Sequence, residues 1–182
     1  LSLSIANLRL RERLAEQSIR DPLTGLYNRR YMEEALAREI SRAERNRTPV
    51  ALVMMDIDHF KPFNDRYGHP AGDALLESLG AFLKTNLRGG DAACRYGGEE
   101  FILFLPDTSL EGARRNMERI RKGIGSLRIS HMGLTLPPVT LSMGVAVYPD
   151  HGRDMGALIG AADAALYRAK KEGRNRILPA AG

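Results

Sequence analysis

Tryptophan is absent from this 182-residue sequence, cysteine occurs once, at Cys94, and aromatic residues make up 6% of it. A lone cysteine excludes an internal disulfide framework and fits a reducing compartment, so the chain is read as cytoplasmic. With so few aromatics, and none interleaved with basic residues, no stripe exists on which bases could stack, which argues against a nucleic-acid polymer as partner. Long apolar runs are missing too. The longest, Val50 to Met55, falls far short of the roughly 20 residues that a membrane-spanning helix needs. No signal-peptide pattern opens the chain. It begins at Leu1 in mid-pattern, as a piece of a larger protein would, and the rest of that protein could include a membrane anchor and an upstream sensor.

What is present suffices for one core: 43% of the residues are hydrophobic, in a length too short for two ordinary domains. The formal charge of +5 suits anionic partners, among them small phosphorylated ligands. From Leu1 to Arg20 there is no Pro or Gly, and Leu3, Asn7, Leu10, Leu14 and Gln17 follow a heptad spacing, either the end of a coiled coil or an ordinary surface helix. Asp21-Pro22 breaks it. The expected organisation is therefore an N-terminal helix over 1–20, a domain over 21–178, and a short tail over 179–182.

Within the domain, Asn28 to Asn46 carries Tyr31, Met32, Ala35, Leu36 and Ile40 near helical spacing. Val50 to Met55 reads as a central strand buried on both faces. A helix is expected from about Ala71 to Leu87, then strands Ala92 to Tyr96 and Phe101 to Leu105 around Gly97-Gly98. A helix from Ser109 to Ile124, an alternating strand from Val139 to Val147, and a helix from Met155 to Lys171 closed by Gly173 complete the pattern. This order implies an α/β fold, a mixed central sheet flanked by helices, of ferredoxin-like or polymerase-palm type.

Two acidic groups stand out. The buried strand runs straight into Asp56-Ile57-Asp58, and the hairpin tip carries Glu99-Glu100 beside glycine backbone that can adopt positive φ and approach a ligand closely. Oxygen-only donors of this kind, without a His/Cys cluster, suit Mg²⁺ and phosphoryl chemistry. An isolated Asp-x-Asp is equally at home as strand-end polar residues, and the glutamates as a solvated turn.

At Gly97-Gly98-Glu99-Glu100-Phe101 the sequence resembles the GGDEF family of diguanylate cyclases, in its Glu-for-Asp form. Asp21-Pro22-Leu23-Thr24-Gly25-Leu26 resembles that family's opening motif, and Asp56-Ile57-Asp58-His59-Phe60-Lys61 its strand-end motif. Asn64-Asp65, Gly72-Asp73, Ser142-Met143-Gly144, and Ala164 to Lys170 followed by Gly173-Arg174-Asn175, fit in order. The resemblance covers about Asp21 to Ile177. It implies a cyclase that joins two GTP molecules into cyclic di-GMP, each half of a homodimer holding one GTP and two divalent ions, Mg²⁺ or Mn²⁺. By resemblance Asp56, the Ile57 carbonyl and Glu99 ligate metal, and Glu100 is a further ligand or base. Asn64 and Asp73 take the guanine, and His59, Phe60, Lys61, Lys170 and Arg174 the rest of the nucleotide, the three basic residues its phosphates. Arg88-Gly89-Gly90-Asp91 resembles the family's Arg-x-x-Asp site for inhibition by product, for which a helix cap and polar turn is the plain alternative. A domain retained only as a nucleotide receptor would be expected to have lost the acidic positions, and Asp73 argues against use of ATP. Cys94 is expected as a small core residue.

Overall fold

The computed structural model describes residues 19–181. The heptad-spaced segment lies outside them except for its last two residues. Five helices and eight strands follow in the order β1 (Tyr27–Asn28), α1 (Arg29–Asn46), β2 (Val50–Ile57), α2 (Phe60–Tyr67), α3 (His69–Asn86), β3 (Ala92–Arg95), β4 (Glu100–Pro106), α4 (Leu110–Gly125), β5 (Ser130–His131), β6 (Leu134–Thr135), β7 (Leu141–Tyr148), α5 (Met155–Lys171) and β8 (Ile177–Pro179).

β2 earns the centre of the sheet by composition: all eight residues are buried, and it pairs antiparallel with β4 on one side and β7 on the other. The six-stranded sheet runs β1-β3-β4-β2-β7-β8, with parallel pairs only at its two edges. Two crossovers, β2 to β3 through α2 and α3, and β4 to β7 through α4, give the interleaved strand order of a ferredoxin-like sheet. Alternation along the strands divides the core in two. Ala51, Val53, Met55 and Ile57 of β2 join Leu103, Val145 and the apolar faces of α2, α3 and α4. Leu52 and Met54 join Ile102, Ala146 and the inner faces of α1 and α5. The fold is thus an α/β sandwich with helices on both faces of a mixed sheet.

Local chemistry sets the boundaries. The side chains of Asn28, Ser109 and Asp154 cap α1, α4 and α5 by accepting from Tyr31, Gly112 and Ala157 amides. Gly144 matters for its missing side chain. A Cβ there would lie 2.0 Å from the Ala162 carbonyl oxygen and 2.3 Å from the Leu166 amide, so α5 rests directly on the β7 backbone.

Four differences from the sequence reading emerge. The segment between β2 and α3 is helical: Pro62 falls in the first turn of α2, where its missing N–H is harmless, and Gly68 at φ 87 ends the helix. β5 and β6 form a separate hairpin, with Met132 and Leu134 exposed. The expected tail begins too early, because β8 reaches Pro179 on the β7 edge and Ala180 is buried, its amide 2.7 Å from the Val145 carbonyl. β1 adds a short parallel edge to β3. Among the described residues no helix is long and apolar enough to cross a membrane.

Candidate active site

Even-numbered residues of β2 face α1 and α5, and Asp56 is the last of them, 5% exposed. The end of α5 lies over it and sets the Lys170 Nζ 2.7 Å from the Asp56 Oδ2. On the sheet, Asp56 stands opposite Glu100 of β4, so the two carboxylates share a face on adjacent strands. The Ile57 amide reaches the Glu99 carbonyl at 3.4 Å, which places the hairpin tip beside the end of β2. Burial pushes the Asp56 carboxyl above its ordinary value, Lys170 pulls it back through its hydrogen bond and charge, and Glu99 and Glu100 push it up again. Both hairpin glutamates therefore act on Asp56, which already carries one ammonium.

The donor set fits a hard divalent cation. Among the described residues no group of three or more His, Cys, Asp or Glu converges into a cage. Mg²⁺ does not need one, since it is held by one or two carboxylates together with water and substrate phosphates.

The hairpin glycines do not use their freedom to take positive φ: neither has φ in the left-handed region. A Cβ at Gly97 would come 2.9 Å from Glu100 Oε2, the mobile end of that side chain, and Gly98 looks onto open space. Arg95 ties this tip to the start of the domain: its Nε and Nη2 donate to the Gly98 carbonyl at 3.1 and 2.9 Å, and its Nη1 lies 3.4 Å from Asp21 Oδ2. Asp21 in turn accepts from the Thr24 amide and hydroxyl, both at 2.8 Å.

The turn at Gly68 brings Asn64 of α2 against the first turns of α3. Asn64 Oδ1 is buried without a hydrogen-bond partner and presses on Gly72, where a Cβ would sit 1.9 Å away. The neighbouring Asp73 is exposed. A buried carbonyl oxygen left unpaired is costly unless a ligand supplies the donor. Lys61 is exposed in the first turn of α2, and His59 precedes it at φ 59. The Phe60 ring lies in the core, so only its backbone is free to meet a nucleotide. Arg174 is exposed just past α5.

The sequence reading passed over Asp163 and Tyr167, which line one cleft with Glu100 and Lys170. Their spacing from Lys170, seven and three residues back along one helix, is the signal that could have found them. Arg88 and Asp91 pair with each other at 2.8 Å, and Arg88 also donates to the Thr108 hydroxyl at 2.6 Å and to the Pro106 carbonyl. Pro106 ends the strand that Glu100 begins, so at ~3.4 Å per residue this pair stands about 20 Å from the acidic site.

The model of the family described as diguanylate cyclase, GGDEF domain, matches residues 18–176. The chain belongs to the GGDEF domain family. Its sequence is 41% identical over 165 residues to the response regulator PleD of Caulobacter vibrioides, covering 90% of this chain and 36% of PleD. The chain thus spans about a third of that curated relative's length. Among solved structures, the GGDEF domain of DgcB from Caulobacter crescentus in complex with c-di-GMP superposes with a TM-score of 0.84 at 33% identity, covering 91% of this chain and 94% of that one. The active GGEEF domain of a diguanylate cyclase from Vibrio cholerae does so at 0.79 and 32% identity, covering 86% and 99%. These matches establish the fold and family of this GGDEF domain.

Proposed function

We propose that this GGDEF domain condenses two GTP molecules into cyclic di-GMP and two pyrophosphates, across the interface of a homodimer. The observation that carries the reading is the setting of Asp56 at the open end of β2, paired with Lys170, opposite Glu100 on the next strand and within the charge of Glu99. Bound there, divalent cations such as Mg²⁺ would be held by Asp56, the Ile57 carbonyl and Glu99, and would supply Lewis-acid charge neutralisation for the triphosphate.

The chain's own groups do the rest. Asn64 and Asp73 hold guanine: the Asp73 carboxylate accepts from the guanine N1–H and 2-amino group, where adenine has an N1 acceptor and no 2-amino group, and the unpaired Asn64 oxygen gains a donor. Lys61, Lys170, Arg174 and the backbone of His59 and Phe60 bind phosphate oxygens. Glu100 accepts the proton of a 3′-hydroxyl. That oxygen bonds to the α-phosphorus of the GTP in the facing domain as the bond to the β-phosphate oxygen breaks, and pyrophosphate leaves against Lys170 and Arg174. The reciprocal attack closes the ring. Because each domain supplies one GTP, assembly of two copies governs the rate. Arg88 and Asp91 form the product site, where the guanidinium takes a phosphate or guanine edge and the carboxylate a guanine N–H; about 20 Å from the chemistry, they inhibit without competing for GTP.

The test is conversion of GTP and Mg²⁺ to cyclic di-GMP by concentrated protein stripped of bound product, beside Glu99→Ala. Product from the parent and none from the variant is expected. A parent that stays silent even when fused to a strong parallel dimerising coil would falsify the catalytic reading.

A further inference from the structure

Asp58 is the buried acidic residue that the chemistry above leaves unused. It follows β2 directly, and the residue is 5% exposed. Both of its oxygens are engaged. Oδ1 accepts from the Ser142 hydroxyl at 2.6 Å, and Oδ2 from the Thr140 hydroxyl at 2.6 Å and the Asn175 amide at 3.0 Å. Its own amide donates to the Thr140 carbonyl at 2.9 Å. Among the described residues no basic side chain pairs with it. Three neutral donors fill this carboxylate as an anchor and leave little of it for a metal.

What it anchors is a strained turn. Gly173, Arg174 and Asn175 have φ of 114, 61 and 47, three successive residues in a region that a side chain makes unfavourable, and two of them carry side chains. The Arg174 amide closes onto the Ala169 carbonyl at 3.0 Å, ending α5. Asn175 is then gripped from two sides, its amide by Asp58 and its side-chain oxygen by Arg121 Nη1 at 2.5 Å. Glu118 holds Arg121 in turn. Between these clamps the Arg174 guanidinium is exposed and has no partner among the described residues.

We propose that Asp58 is a positioning residue for the nucleotide phosphates: by holding the Asn175 amide it fixes the left-handed turn that presents the Arg174 guanidinium to them. The inference rests on the cyclase reading above and assigns the second carboxylate of Asp56-Ile57-Asp58 a separate task. Asp56 meets α5 on one face, and Asp58 secures the loop that follows α5.

Asp58→Asn, Arg174→Ala and the double variant are compared with the parent by GTP kinetics, and by calorimetric binding of 3′-deoxy-GTP, which lacks the nucleophile and reports affinity without turnover. Asn keeps the shape of Asp58 and removes its charge, and its amide nitrogen cannot accept: at the Oδ2 place it leaves both the Thr140 hydroxyl and the Asn175 amide without an acceptor. Each single variant is expected to raise KM for GTP and Kd for the analogue about tenfold, with kcat changed far less. The double variant is expected to match Arg174→Ala, with the Mg²⁺ requirement unchanged. Losses that multiply in the double variant overturn the proposal, as does a shifted Mg²⁺ requirement with KM unchanged, which would make Asp58 a metal ligand. If Asp58→Asn does not fold, Thr140→Val removes one donor alone. It should weaken analogue binding about threefold in the parent and not at all with Arg174→Ala; the same loss in both backgrounds overturns the proposal. A parent that neither binds the analogue nor makes product overturns the cyclase reading and this inference with it, whereas a competent parent with multiplying variants overturns the inference alone.

Discussion

Replacing Lys170 by Met keeps the length of the side chain and removes the ammonium 2.7 Å from Asp56. The Asp56 side chain is 8% exposed and that of Lys170 33%. Breaking a fully buried pair costs roughly 3–5 kcal/mol; with one partner a third in water, we expect about 1–3 kcal/mol. For a domain of this size that is a fall in Tm of about 3–10 °C. The loss depends on pH in a defined direction. The Asp56 carboxyl is raised in the folded protein, so between its unfolded and folded values the folded state binds more protons, and stability falls as pH rises through that interval. Without Lys170 the interval extends upward. The deficit of Lys170→Met should therefore be small near the ordinary Asp range and complete at neutral pH. Urea unfolding in EDTA at several pH values reads it, and added Mg²⁺ should restore more stability to the variant than to the parent. A variant as stable as the parent at neutral pH, or a deficit independent of pH, would refute the claim that Lys170 neutralises a buried carboxylate.

Gly144→Ala forces a methyl group against two main-chain atoms, and thermal unfolding should show a loss at the upper end of overpacking costs, about 3 kcal/mol; a loss under ~0.5 kcal/mol would mean that α5 does not rest on β7 as described. Asn64→Ala removes a buried oxygen that has no partner, so stability of the nucleotide-free protein should change by less than ~1 kcal/mol, while affinity for GTP falls about tenfold in a direct binding measurement. Equal effects on both would make Asn64 a packing residue.

Long periodic segments were legible because their burial repeats. The spacing of Leu75, Leu76, Leu79 and Leu83 gave α3 with small errors at the ends; the alternation from Leu141 onward gave β7 as a strand packed on one face, whereas all eight of its residues are buried. α2 was hidden because it is short and carries Pro62, which marks a break unless it falls in a first turn. β8 was hidden because Ile177–Pro179 forms a strand only by lying on the exposed edge of β7. At the site, acidic residue types could be read directly, and what Asp58 holds could not. It depends on which way the chain bends after β2, and on the hydroxyls of Thr140 and Ser142, more than 80 residues away in sequence. The tie from Asp21 through Arg95 to Gly98 is likewise invisible without the fold, since 74 residues separate the ion pair. The burial of Cys94 was legible, and it pushes the thiol up to about 12, leaving it inert at neutral pH.

Lys170 stands one helical turn beyond Leu166, whose amide touches the bare backbone at Gly144, and Gly144 is two residues from the Ser142 that pairs with Asp56. The gap between ammonium and carboxylate is thus gauged in part from a mechanical stop made of main-chain atoms. Ala162, Ala165 and Ala169 of α5 are small and fully buried, which is what lets the helix come down onto that stop. Any bulk admitted at position 144 lifts the whole helix, and the displacement is delivered at its far end, where an ångström separates a bonded pair from two isolated charges.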